Sequence, residues 1–183
     1  MKKLLFTLMC LTALSLGAQT VVSFKLTPNG SFISEEGKDF IIVPFEGKNA
    51  HQIFQQLSVN ANALYKNPSK VMSVVDDASI TIRGYDSKLT YTKFMMEKQW
   101  ISGYYNLNFQ IKDGRVKVAA PIIDEVELNE TTNSRFSWEV EKWFKNGEPQ
   151  KKAVERIELV ENNMNTLINA ILNSSNSKAE EDW

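Results

Sequence analysis

The chain reads as an α+β domain with one antiparallel sheet, two main helices on one face and a shorter third helix. Three observations carry that reading. Asp113-Gly114 lies between two segments of alternating apolar and polar residues, the mark of a tight hairpin, because both central positions of such a turn need positive φ. Apolar residues recur at helical spacing over 50–65 and again over 154–171. Finally, the 183 residues are 43% hydrophobic with only 8 Gly and 5 Pro, which excludes collagen-like, low-complexity and wholly disordered chains. At roughly 150 residues per domain, one domain over 19–175 is expected.

The elements follow in order. Lys2 and Lys3, an apolar run from Leu4 to Leu16 and the small pair Gly17-Ala18 make a signal peptide over 1–18. The run is too short to span about 30 Å of hydrocarbon as a permanent helix. Cys10 follows Met9, where lipid attachment would need a small residue. Cleavage after Ala18 would leave 165 residues with 19 cations, 22 carboxylates, a net charge of -3 and no cysteine. The expected location is therefore periplasmic or extracellular, and stability must come from an apolar core without disulfides. No second apolar stretch is long enough for a transmembrane helix in the mature chain.

Thr20–Leu26 reads as a short strand, Pro28-Asn29-Gly30 as a turn, and Lys38–Phe45 as a strand with Pro44 near its end. Asn49 and Gln52 have capping-box spacing ahead of a helix whose apolar face is Ala50, Ile53, Phe54, Leu57, Ala61, Leu64 and Tyr65, and Asn67-Pro68 stops it. His51, the single histidine, falls on the polar side and reads as solvated surface with no partner nearby in sequence. Residues 71–77 and 79–85 form a hairpin around Asp76-Asp77-Ala78, acids read as turn residues rather than as a general acid and base. Lys88–Met96 is a further strand.

Setting Lys112 opposite Arg115 fixes the next hairpin: Ile111 faces Val116, Phe109 faces Val118, Leu107 faces Ala120 and Tyr105 faces Ile122. All four pairs are apolar, so this face is core, while Tyr104, Asn106, Asn108 and Gln110 lie on the other. The acidic stretch from Asp124 to Glu130 reads as a loop. Ser134–Lys145 reads as the third helix, with Phe136, Val140, Trp143 and Phe144 inward. The last helix starts near Pro149 and buries a stripe from Val154 to Ile171, and 176–183 is a flexible polar tail.

Two segments, Phe40–Leu57 and Trp100–Val118, resemble a family of secreted bacterial proteins known only as a domain of unknown function. The resemblance covers roughly 40–122. It implies a fold like that of the TATA-box-binding protein, a curved antiparallel sheet with helices on one face. Its motifs, a strand-Gly-helix start and the Lys-Asp-Gly-Arg hairpin, are structural and bring no catalytic residues.

For function, a net charge of -1 supplies no broad basic field, so nucleic acid is not an expected partner. Lys112, Arg115 and Lys117 read as charges guarding a hairpin tip against aggregation. One His and one Cys leave no thiolate or multi-histidine metal site, and no nucleophile elbow, zinc-protease motif or phosphate loop occurs. No cofactor is expected. Glycosidase chemistry needs only two carboxylates, so a carboxylate-dependent hydrolase is one alternative; a structural envelope-assembly protein, docking through the last helix, is the other. The favoured expectation is a non-enzymatic binding module of the cell envelope that takes a glycan, a peptide or an envelope protein. Trp100, Tyr104, Asn106 and Asn108 are the ligand-binding candidates, because aromatic planes with amides combine stacking and directional hydrogen bonds. Trp138, off the stripe of its helix, is a further exposed aromatic.

Overall fold

Residues 21–95, 97–128 and 132–173 are described by the structure, a computed structural model. The signal-peptide segment and the 176–183 tail lie outside these described residues. In chain order the elements are β1 (Phe24–Leu26), β2 (Phe32–Ser34), β3 (Phe40–Pro44), α1 (Ala50–Leu64), α2 (Pro68–Val71), β4 (Met72–Val75), β5 (Ser79–Phe94) and β6 (Glu97–Lys112). They continue with β7 (Arg115–Ala119), β8 (Ile122–Leu128), β9 (Thr132–Arg135), α3 (Phe136–Glu141), β10 (Phe144–Lys145), β11 (Glu148–Pro149) and α4 (Val154–Asn173). A seven-stranded antiparallel sheet runs β3-β7-β6-β5-β4, with β8 beside the first half of β6 and β9 beyond it. The expected α+β class, an antiparallel sheet with two long helices and a short third, is what the chain adopts.

The capping box opens α1 as its sequence requires: Asn49 Oδ1 accepts from the Gln52 amide at 2.9 Å and Gln52 Oε1 from the Asn49 amide at 3.0 Å. Asp113 Oδ1 also accepts from the Ala50 amide at 2.8 Å, so the hairpin turn helps cap the helix. Ile53 and Leu57 of α1 meet Ile80, Ile82, Leu107 and Phe109 of the sheet and Met164 and Ile168 of α4 in one core. The stripe on α4 packs into that core, with Ile157, Val160, Met164, Ile168 and Ile171 buried, Leu167 half-buried and Val154, expected inward, exposed at 39%.

Helix α4 also holds the N-terminal segment by its backbone. Asn169 accepts from the Val22 amide at 2.8 Å and donates to its carbonyl at 2.7 Å. Asn165 does the same for Phe24 at 2.9 and 3.0 Å, and Glu161 accepts from the Leu26 amide at 2.8 Å. Four helical residues rise about 6 Å, close to the advance of two strand residues, so side chains at i, i+4 and i+8 serve alternate strand positions. Val22, Phe24 and Leu26 are buried beneath this ladder.

Several expected boundaries are corrected. The pairing of β6 with β7 holds through Phe109–Val118, but β7 ends at Ala119. Pro121 cannot donate to a ladder, and β8 re-enters with Tyr105 opposite Ile123 and Asn106 opposite Ile122. The expected pairs Leu107–Ala120 and Tyr105–Ile122 are lost, and Ile122 turns outward at 55% exposure. Lys88–Met96 is no separate strand; its described part continues β5 through an irregularity between Asp86 and Thr90. Most of the acidic stretch is strand β8, whose Ile123 and Val126 are buried while its carboxylates stay out. The third helix shrinks to Phe136–Glu141, because Thr132–Arg135 pairs with β8. Helix α4 starts at Val154 rather than Pro149, since Asn146-Gly147, both at positive φ, turn β10 back onto β11.

Candidate functional site

Alternation on β6 sends Ile101, Gly103, Tyr105, Leu107, Phe109 and Ile111 inward and leaves the even-numbered residues from Trp100 to Lys112 half-buried or exposed on the other face. Register extends that face across the sheet: Thr81, Arg83 and Tyr85 on β5 stand opposite Asn108, Asn106 and Tyr104. Arg115 and Lys117 on β7 stand opposite Lys112 and Gln110, and on their other side opposite Pro44 and Ile42 of β3.

Three of the four expected site residues share this row. Tyr104 is 57% exposed and its ring lies 4.9 Å from that of Tyr85, tilted by 55°. Asn106 sits between Arg83 and Ile122. Asn108 donates to Thr81 Oγ1 at 2.8 Å, so part of its amide is spent within the sheet. Trp100 stands apart, four residues or about 13 Å along the strand from Tyr104. It packs edge-on against Tyr91 at 6.0 Å, and Lys88 lies 5.4 Å over its ring.

Tyr85 and Arg83 escaped sequence reasoning for a local reason. The β5–β6 connection runs through Met95, which takes φ 47 without any Gly, Asn or Asp to announce a turn, so the register of the two long strands is not legible. The basic end was visible in part. Lys112, Arg115 and Lys117 line a shallow groove of about 310 Å³ with Ile42 and Gln110, and Lys117 Nζ rests 4.6 Å from the centre of the Phe40 ring. Among the described residues none of Arg83, Lys112, Arg115 and Lys117 has an ion-pair partner, whereas Lys25, Lys98 and Lys142 each have one.

Elsewhere His51, expected to stand alone, pairs through Nδ1 with Asp77 Oδ1 at 2.9 Å across the helix–hairpin junction. Asp77 takes φ 56 in that turn, as a turn residue would. Trp138 is 57% exposed under the Arg135 guanidinium. A broad depression of about 630 Å³ between the β1–β2 turn and β8 includes Asp39, Asp124, Glu125 and Arg135. Inside, the Tyr65 and Tyr105 hydroxyls meet at 3.0 Å, and burial pushes both phenols up. The Tyr105 ring occupies the space a side chain on Gly84 would need, 2.1 Å from an ideal Cβ. Among the described residues no three His, Cys, Asp or Glu side chains are placed to hold a metal ion, and no helix is long and apolar enough to cross a membrane.

No family model matches this chain, and no curated protein does. Among solved structures it is similar to a DUF4468 family protein from Bacteroides ovatus ATCC 8483, with a TM-score of 0.53 and 10% identity over 76% of this chain and 87% of that one. A TBP-like protein from Parabacteroides distasonis ATCC 8503 aligns at a TM-score of 0.45 and 15% identity, over 73% and 91%. The first likeness is one of fold, and it agrees with the resemblance to a bacterial domain of unknown function.

Proposed function

We propose that this chain is an exported, non-enzymatic binding module of the cell envelope and that the open face of its main sheet is the binding surface. The observation that carries this is the row of Tyr85, Tyr104, Asn106 and Gln110, exposed or half-buried, on strands whose other side behind that row, Ile80, Ile82, Gly84 and the odd-numbered residues from Ile101 to Ile111, is buried. Ring planes supply apolar stacking and amides supply both donors and acceptors, a combination suited to sugars and peptides. Export rests on the signal-peptide pattern of residues 1–18, with the periplasm or the exterior as destination.

A thermal-shift screen of the purified protein against glycan and peptide libraries tests the module, since a ligand that prefers the native state raises its melting temperature. Tyr104→Ala combined with Asn106→Ala should weaken the ligand found while circular dichroism stays native; unchanged affinity rejects the surface. The depression holding Asp39, Asp124 and Glu125 favours the hydrolase as second reading, and turnover lost on neutralising one of those acids would establish it instead. N-terminal sequencing of protein from the cell envelope should begin at Gln19; an intact Met1 there would refute cleavage after Ala18.

A further inference from the structure

We infer that the open sheet face takes an acidic polysaccharide, a chain of sugar rings bearing carboxylates at intervals; this rests on the reading of that face as the ligand surface. From Tyr104 to Lys112 the face extends about 27 Å along β6. Tyr85 and Tyr104 offer ring planes at one end, Asn106 and Gln110 offer amides along the middle, and Lys112, Arg115 and Lys117 crowd the other end, with Arg83 beside Asn106. On β3, β4 and β7, on β5 up to Tyr85 and on β6 from Tyr104 onward, no carboxylate shares this face.

Folding does not call for that arrangement. Lys112 and Arg115 are direct cross-strand partners, and like charges so placed repel. No carboxylate is paired to either, or to Arg83 or Lys117, among the described residues, so these cations are open to an anion from outside the fold. A peptide adding a strand fits poorly, because strand addition needs a free edge and β5, β6 and β7 each have a neighbouring strand on both sides. A nucleic acid fits poorly too, since its phosphates recur at every nucleotide while β8 lines the tyrosine end with acids, Glu127 standing opposite Ser102 beside Tyr104. A chain that stacks uncharged ring faces on the tyrosines and lays carboxylates over the cations meets both ends.

The test measures binding of the purified protein to four polymers: polygalacturonate, dextran, polyglutamate and oligothymidylate. Polygalacturonate should bind best, with affinity falling as salt is added. Arg115→Gln with Lys117→Gln should weaken it about tenfold, and Tyr104→Ala should weaken it without touching charge. Lys151→Gln with Lys152→Gln makes the same charge change in the exposed turn before α4 and should leave binding intact. Dextran binding as tightly as polygalacturonate, with the same dependence on Tyr104, would overturn the acidic class while the open-face reading stood. Polyglutamate or oligothymidylate binding equally well would show that charge alone is read, overturning the inference. No binding to any of the four also overturns it, and the open-face reading then stands or falls on the Tyr104→Ala, Asn106→Ala variant in the library screen.

Discussion

On strand β6 every odd-numbered residue from Ile101 to Ile111 is buried, whereas the even-numbered ones from Trp100 to Lys112 are half-buried or exposed. The two sets share one backbone and one set of ladder hydrogen bonds, so they differ only in what covers them. The covered set is constrained by volume: Leu107 and Phe109 lie against Ile80, Ile82 and the two long helices. The open set meets only neighbours within the sheet, Trp100 against Tyr91, Tyr104 against Tyr85 and Asn108 on Thr81, so volume constrains it far less. Composition on the covered face is set by the core, whereas composition on the open face is left to solvent and to the packing of side chains within the sheet.

The contrast is sharpest at neighbouring positions. Phe109→Ala would empty a fully buried ring site and should cost about 3–5 kcal/mol. Gln110→Ala, one residue on and pointing the other way, should stay within about 0.5 kcal/mol of the parent. Urea denaturation of the two variants measures both. Similar losses for the pair would mean that the open face is packed against something and is not a free surface.

How much of this was legible follows the same division. The Asp-Gly turn and the alternation behind it predicted the buried pairs of β6 and β7, and the capping box predicted the start of α1, because each is decided within a few residues. Asn146-Gly147 carried equally clear turn chemistry but followed an apolar pattern at helical spacing, and the two signals compete until β9 and β11 have partners. The site was half visible. Tyr104, Asn106 and Asn108 follow from alternation on one strand, while Tyr85 and Arg83 depend on a register set through Met95. Long-range pairing, not local propensity, decides those neighbours.

Polar residues on the covered side give the next test, because α4 spends its asparagines on backbone. Asn165→Ala would leave the buried Phe24 amide and carbonyl without the side chain that serves both, at about 1–3 kcal/mol. Asn162→Ala, exposed on the same helix, should be close to neutral. Hydrogen exchange should show the Val22–Leu26 amides opening in the first variant before the main sheet does. Equal protection of both regions would make the N-terminal segment an integral part of the sheet's cooperative unit rather than a strap tied onto α4.

The smallest effect concerns the titratable groups inside the covered face. Tyr65 and Tyr105 share a hydrogen bond, and burial raises both phenols above their ordinary value of 10.0. In the unfolded chain both titrate near 10, so above that pH the unfolded state has released protons the native state still holds. Stability contributed by these groups is thus whole below about pH 10 and falls as pH rises, by at most about 1.4 kcal/mol per pH unit for each phenol. Replacing only one would leave a partly buried hydroxyl unpartnered, so the informative variant is Tyr65→Phe with Tyr105→Phe. Its urea midpoint should decline less steeply than the parent's between pH 9 and 11, with the lysines contributing equally to both. Parallel slopes would mean that these phenols reach water without unfolding, and that the sheet is less tightly closed over Gly84 than the Tyr105 ring implies.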